Sequence, residues 1–220
     1  MAAAPPLLLG EACIRYGACS WSDRSLVKEA DWYPKRTMKA AERMAYYAAR
    51  FPLVLVDSTY RFPPTPDVAR QWVERTPEGF TMDVVAWSLL THNATLPDSL
   101  WPDLQDEVRP EARHGLGGLR LAVELPNLAW VDDDQCEPTL AFLEDNDLAF
   151  VCADGPPQAE QRPPVVASTS DLAVVRMEGR NPGDWHEAEM EMAQRFAYRY
   201  PLRELEEWVP RVLALASSAP

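Results

Sequence analysis

Six short apolar runs, each nearly continuous instead of alternating with polar residues, constrain the fold of this chain more than any other feature. They are residues 14–21 (IRYGACSW), 53–59 (LVLVDST), 79–87 (GFTMDVVAW), 119–125 (LRLAVEL), 148–154 (LAFVCAD) and 172–178 (LAVVRME). A strand with one solvated face alternates apolar and polar side chains, so a run without that alternation suits a strand covered on both faces, as in a parallel sheet flanked by helices. Helical segments lie between the runs. Residues 39–50 (KAAERMAYYAAR) are dense in good helix formers, and 65–75 (TPDVARQWVER) open with Thr65 as N-cap and Pro66 at the first helical position. Residues 134–146 begin with an acidic turn, and residues 201–216 contain Pro210, which predicts a helix kinked or divided there. The alternation predicts the α/β class with a mainly parallel sheet.

Two stretches interrupt the rhythm. Residues 92–118 contain no buried-strand run, and GPPQAEQRPP at 155–164 reads as a proline-rich loop too short to link domains. The chain therefore reads as one domain over 1–220, with loose ends at 1–12 and 214–220. At 220 residues and 47% hydrophobic content it can bury a sizeable core.

Charge and cysteine usage narrow the function classes. Lys and Arg number 21 against 34 Asp and Glu, a net charge of −13, and a field of that sign repels phosphate backbones and disfavours nucleic acid as a partner. No stretch approaches the ~20 apolar residues of a membrane span, and MAAAPPLLLGEA lacks the basic region of a signal peptide. Cys13, Cys19, Cys136 and Cys152 form no CxxC pair, which does not suit a structural zinc site and predicts reduced thiols in a cytoplasmic protein. HExxH, GxSxG and GxxxxGK[ST] are absent, so zincin, α/β-hydrolase and Walker-type chemistry have no support.

Sites on parallel sheets and barrels form at the carboxyl ends of the strands. The polar residues there are Trp21 after the first run, Asp57 and Tyr60 after the second, His92 after the third, Glu124 in the fourth, Asp154 closing the fifth, and Arg176, Glu178, Arg180 and Asn181 at the sixth. Four carboxylates on one rim, Asp57, Glu124, Asp154 and Glu178, repel one another unless a cation or an arginine offsets them. Three readings follow: an oxygen-rich divalent-metal site with His92 as a nitrogen ligand, an acid/base pair with one carboxyl raised in pKa, or a structural set in which Arg176 and Arg180 neutralise Glu124 and Glu178. Of the eight tryptophans, Trp72, Trp101 and Trp208 fall at helix positions that suit core packing. Trp21, Trp87, Trp130 and Trp185 fall in loops where a stacking platform is the alternative.

A further pattern emerges from the motifs taken together. GACSWSD, WYP, AYYAARFPLVLVDSTY followed by FPPTPDVARQWVERTPEGF, SLLTH, AVE, VVRMEGRN and YPLRELEEWVPRV occur in an order that resembles the DUF72 (YecE-like) family over residues 14–213. The resemblance implies a TIM-type (β/α) barrel and carries no defined function. It matches at Trp21, Asp57, Thr59, Tyr60, His92, Glu124, Trp130, Asp154, Arg176, Gly179, Arg180, Asn181 and Tyr200, and departs at Leu55, Val85, Pro126, Asn127 and Glu178, where the family pattern has charged or titratable residues. The family's fourth and eighth strands have no counterpart, so about six parallel strands in an open or incomplete barrel are expected, with exposed edges that favour a homodimer.

The expected function is a small-molecule site for a sugar or phosphorylated ligand with hydrolase- or isomerase-like chemistry. His92, Glu124, Asp57 and Asp154 are its catalytic candidates; Trp21, Tyr60, Arg176, Arg180 and Asn181 are its ligand-binding candidates. The alternative is a catalytically inactive, truncated relative that acts as a binding module, and an endonuclease IV-like activity is disfavoured by the acidity. No cofactor is implied beyond the divalent metal that Asp57, Glu124, Asp154 and Glu178 would hold in the first reading.

Overall fold

The structure, a computed structural model, describes residues 3–23, 25–29, 31–88, 119–156, 164–181 and 197–218. They fall into two compact units, 1–117 and 118–220.

The first unit opens with an antiparallel hairpin, β1 (Leu7–Leu9) and β2 (Ala12–Ile14). Gly10 makes its turn at φ 60°, a conformation that costs glycine nothing. The parallel sheet follows: β3 (Gly17–Cys19), β4 (Leu53–Val56) and β5 (Thr81–Val84), with β4 in the middle. The crossovers carry α1 (Ala40–Ala48) and α2 (Pro66–Glu74). At the start of α1 the Lys39 N–H donates to the Glu42 carboxylate at 2.7 Å, and at α2 the Thr65 hydroxyl accepts from the Val68 N–H at 3.4 Å. These bonds satisfy amides that have no partner within the helix.

Val54 and Val56 of β4 pack with Tyr47 of α1 in a core edged by aromatic rings, including Trp21, Trp32, Phe51 and Trp72. Tyr47 is the pin of this unit. Its buried hydroxyl accepts from the Ala18 N–H at 2.6 Å and donates to the Leu53 carbonyl at 3.0 Å, which ties α1 to both β3 and β4. Burial pushes the phenol up to about 12, so it remains a donor. The close approach requires Gly17: a Cβ there would lie 1.9 Å from the Leu53 carbonyl oxygen and 3.0 Å from the Tyr47 hydroxyl.

The second unit repeats the arrangement with β6 (Ala122–Val123), β7 (Ala149–Asp154) and β8 (Val174–Met177), all parallel and with β7 central. Helix α3 (Cys136–Asp145) connects β6 to β7, and α4 (Leu202–Ser218) follows β8. The near-continuous apolar run of β7 is buried along almost its whole length. Phe150 and Cys152 of β7 pack with Leu143 of α3 and with Trp208 and Leu215 of α4. Thr169 anchors the start of β7, accepting from the Phe150 N–H at 2.8 Å and donating to the Leu148 carbonyl at 2.5 Å.

All six expected parallel strands and all four expected helices are present, and the class is α/β. No eight-stranded closed ring is present among the described residues. Three details differ from expectation. The supposedly loose residues 7–12 belong to the hairpin, α4 extends to Ser218 through the supposed loose end, and α4 is a single element across Pro210. Pro210 removes one amide donor, and the packing of Trp208 and Leu215 on either side of it holds the two halves of the helix to one core. Residues 89–118 and 182–196, with His92, Trp101, His114, Trp185 and His186, lie outside the described residues. No helix among the described residues is long and apolar enough to cross a membrane.

Two substitutions check the account of the first unit in urea denaturation. Gly17→Ala forces the sheet apart and costs about 3 kcal/mol or more, against about 1 kcal/mol for Gly79→Ala, where φ is 80° but nothing lies within 4 Å of the added Cβ. Tyr47→Phe, which leaves the Ala18 amide and the Leu53 carbonyl without their partner, costs about 1–3 kcal/mol.

Candidate functional site

Strand alternation sorts the polar residues of the second unit onto two faces. Val123 and Leu125 in and beside β6 and Val175 in β8 pack on the core shared with α3 and α4, so Glu124 and Arg176 point to the opposite face. Glu178, two residues past Arg176, shares that face. There the Arg176 Nη1 donates to Glu124 Oε2 in a short hydrogen bond, and its Nε lies 3.4 Å from Glu178 Oε1. Glu124 and Arg176 are each 30% exposed and Glu178 18%. The register explains the meeting: β6 and β8 flank β7, and continuing it puts Glu124 opposite Val151, whose β8 partner is Val174, so the long Arg176 side chain, two positions further along on the same face, reaches back to it.

Arg176 thus holds the two carboxyl groups beside each other. Burial and then the Glu124 charge push the Glu178 carboxyl above its ordinary value, and the Arg176 guanidinium only partly opposes them. A neighbouring carboxylate charge favours the protonated form of Glu178, in the same direction as its burial.

Asp154, at the end of β7, points the other way, toward α4, and is 2% exposed. The Arg180 guanidinium donates to both its oxygens, Nε at 2.8 Å and Nη2 at 2.7 Å, and the Trp208 indole N–H adds a short hydrogen bond. Arg180 also reaches Glu207 on α4, Nη1 at 3.0 Å. Burial drives the Asp154 carboxyl up, but the Arg180 and Trp208 bonds and the charges of Arg180 and Arg211 together outweigh it and hold the group below its ordinary range. Behind this pair the Gly179 N–H donates to the Tyr200 hydroxyl at 2.9 Å, and Tyr198 donates to the buried Glu204 at 2.7 Å. Gly179 sits at φ 92°, and a Cβ there would come within 2.7 Å of Tyr198 Cβ.

The structural reading of the sequence pairs Arg180 with Glu124 or Glu178; the observed partners of Arg180 are Asp154 and Glu207, because the residue after Gly179 turns back toward α4. Asn181 donates to the Ala197 carbonyl at 3.2 Å. In the first unit Trp21 packs edge-on against Trp72, with ring centroids 5.7 Å apart, and its carbonyl accepts a short hydrogen bond from Tyr33. Asp57 is exposed where β4 leads into the Ser58–Tyr60 turn, and Tyr60 is half-buried in that turn. Thr59 is buried there, donating to the Val56 and Val85 carbonyls at 2.9 and 2.7 Å. Among the described residues no group of three or more His, Cys, Asp or Glu side chains is arranged to hold a metal ion.

Glu207, Trp208, Glu204 and Arg211 did not stand out as site residues in the sequence. Their signal is the spacing within RELEEWVPR: positions 204, 208 and 211 lie on one helix face, and a glutamate, tryptophan and arginine together on a face that also carries the core is the mark of a buried polar contact.

The opposite shifts of the two carboxyl groups predict opposite pH dependences of stability. Asp154 is lowered in the folded chain, so its contribution is present above its unfolded value near 3.8 and is lost as the pH falls through the folded value. Asp154→Asn therefore costs about 3–5 kcal/mol at neutral pH, a deficit that shrinks in acid. Glu178 is raised, so the folded chain binds its proton more tightly and loses stability as the pH climbs above 4.5. Glu178→Gln gains stability relative to the parent as the pH rises through that window, as read by chemical denaturation at a series of pH values.

The motif order and the parallel α/β arrangement find their counterpart in known proteins. Residues 15–113 and 95–220 match the family described as "Protein of unknown function DUF72". The chain is 25% identical to the UPF0759 protein YunF of Bacillus subtilis over 235 residues, covering 89% of this chain and 81% of that protein. A crystal structure of a DUF72 family protein from Enterococcus faecalis superposes with a TM-score of 0.70 at 20% identity, covering 93% of this chain and 85% of its own. One from Thermotoga maritima gives 0.64 at 20% identity, with 92% and 88% covered. These names specify no activity; with the family match they establish that the chain belongs to the DUF72 family.

Proposed function

We propose that the cluster of Glu124, Arg176 and Glu178 is an acid/base site for a small polar ligand. The observation that carries this is the carboxyl pair itself: Glu178 is raised by burial and by the neighbouring Glu124 carboxylate, and Arg176 clasps both. In this reading Glu178, raised above its ordinary value, holds and delivers a proton, Glu124 receives one, and Arg176 fixes their geometry. Glycosidic hydrolysis fits less well, because the two carboxyl groups of such enzymes stand roughly 5–9.5 Å apart with the bond to be cleaved between them. Carboxyls held beside each other suit proton transfer within one bound molecule, as in an isomerisation. His92 lies outside the described residues, and Asp57, Trp21 and Tyr60 belong to the other unit, so none of them enters this reading.

A second reading, a binding module without turnover, draws on one feature of the first unit. Leu55 of β4 and Val85, just past β5, stand where the family pattern has charged side chains. Both readings call for a ligand, and turnover separates them.

Thermal melts with a panel of sugars and sugar phosphates at pH 5 to 8 test the proposal. A ligand at a hundredfold excess over its Kd stabilises the chain by about 2.7 kcal/mol. Its effect falls to about half in Glu178→Gln, as a tenfold loss of affinity requires, and any turnover found falls by roughly a hundredfold or more in that variant. Ligand binding that is the same in Glu178→Gln and the parent would contradict the acid/base site.

A further inference from the structure

The class of ligand follows from what the arginines beside this site have left to offer, provided the acid/base reading of Glu124 and Glu178 holds. A phosphate group is recognised by free guanidinium donors, best as a fork that meets two of its oxygens. Arg180 has no such fork: Nε and Nη2 are on the two Asp154 oxygens and Nη1 is on Glu207. Asp154 and Trp208 are both buried, so releasing Arg180 would leave a buried carboxylate with its chief partner removed. Arg176 has its Nη1 on Glu124 and its Nε toward Glu178.

The local charge points the same way. With Glu178 holding its proton, Glu124, Asp154 and Glu207 are matched by Arg176, Arg180 and Arg211, which lies over the Trp208 ring at 5.1 Å on the α4 side, so no guanidinium charge is left in excess. An incoming phosphate would meet no local positive excess within a chain that already carries −13. A hydroxyl group meets neither obstacle. It can donate to Glu124 while accepting the proton that the raised Glu178 holds, which matches the pair group for group.

We infer that the cluster takes an uncharged, polyhydroxylated ligand and rejects its phosphorylated counterpart. The test is calorimetric titration of the full chain with D-glucose, D-mannose and D-fructose, with their 6-phosphates and with inorganic phosphate. The same titrations are made on Glu178→Gln and Glu124→Gln, whose melting transitions show that they fold. The expected result is that a neutral sugar binds, its 6-phosphate binds at least about tenfold more weakly, and either substitution weakens the neutral sugar by about tenfold. A 6-phosphate or inorganic phosphate that binds as tightly as the neutral sugar or more so, and is weakened by Glu178→Gln, would overturn the ligand class while leaving the acid/base reading standing. Binding indifferent to both substitutions, or no binding by any of these probes, would overturn both.

Discussion

The second unit is organised around one buried carboxylate. Asp154 ends the central strand, and its oxygens take the Arg180 fork and the Trp208 indole, so the turn after β8 and the helix α4 are fastened to the same point. Its backbone carbonyl does as much: it accepts from the Glu178 N–H at 2.8 Å and from the Tyr200 hydroxyl at 3.3 Å. Glu178 is thereby held by the backbone at the place where its side chain reaches Arg176 and Glu124. A buried ion pair is weak evidence of net stability, since desolvation offsets much of its attraction, but removing either partner leaves a buried charge uncompensated.

The consequence is a division of labour between the two faces of one sheet. On the face toward α4 the Asp154 carboxylate is lowered in pKa, its oxygens take the Arg180 fork and the Trp208 indole N–H, and the Arg211 Nη1 is buried without a hydrogen-bond partner among the described residues. On the opposite face a single arginine holds Glu124 and Glu178 side by side, and Glu178 is raised above its ordinary value. In the first unit the neutral hydroxyl of Tyr47 joins a helix to two strands where the second unit uses charge.

The fold was legible in the sequence because its signal is local and repeated. LVLVDST and LAFVCAD cannot be half-solvated strands, and Thr65–Pro66 announces the start of α2; each element is specified by the residues within it. The site was only partly legible. Glu124, Arg176, Glu178, Asp154 and Arg180 were picked out by their position at strand ends, but which carboxylate each arginine takes depends on the face to which each side chain turns. That face is set by the pairing register between strands and by the Gly179 turn, which no spacing along the chain reveals. Glu207 and Trp208 were hidden for the same reason, since a residue of α4 becomes a partner of Asp154 only once the helix is docked.

The central claim is that the fold holds Glu178 against Glu124 so that Glu178 retains its proton above the ordinary carboxyl range. Carbon-13 NMR titration of the glutamate side-chain carboxyls, assigned with Glu178→Gln and Glu124→Gln, reads this directly. The account predicts that the Glu178 resonance titrates above the ordinary 4.5 and moves back toward it, while staying above it, when Glu124 is replaced, because burial remains after the neighbouring charge is gone. A Glu178 carboxyl that titrates at or below its ordinary value would contradict it.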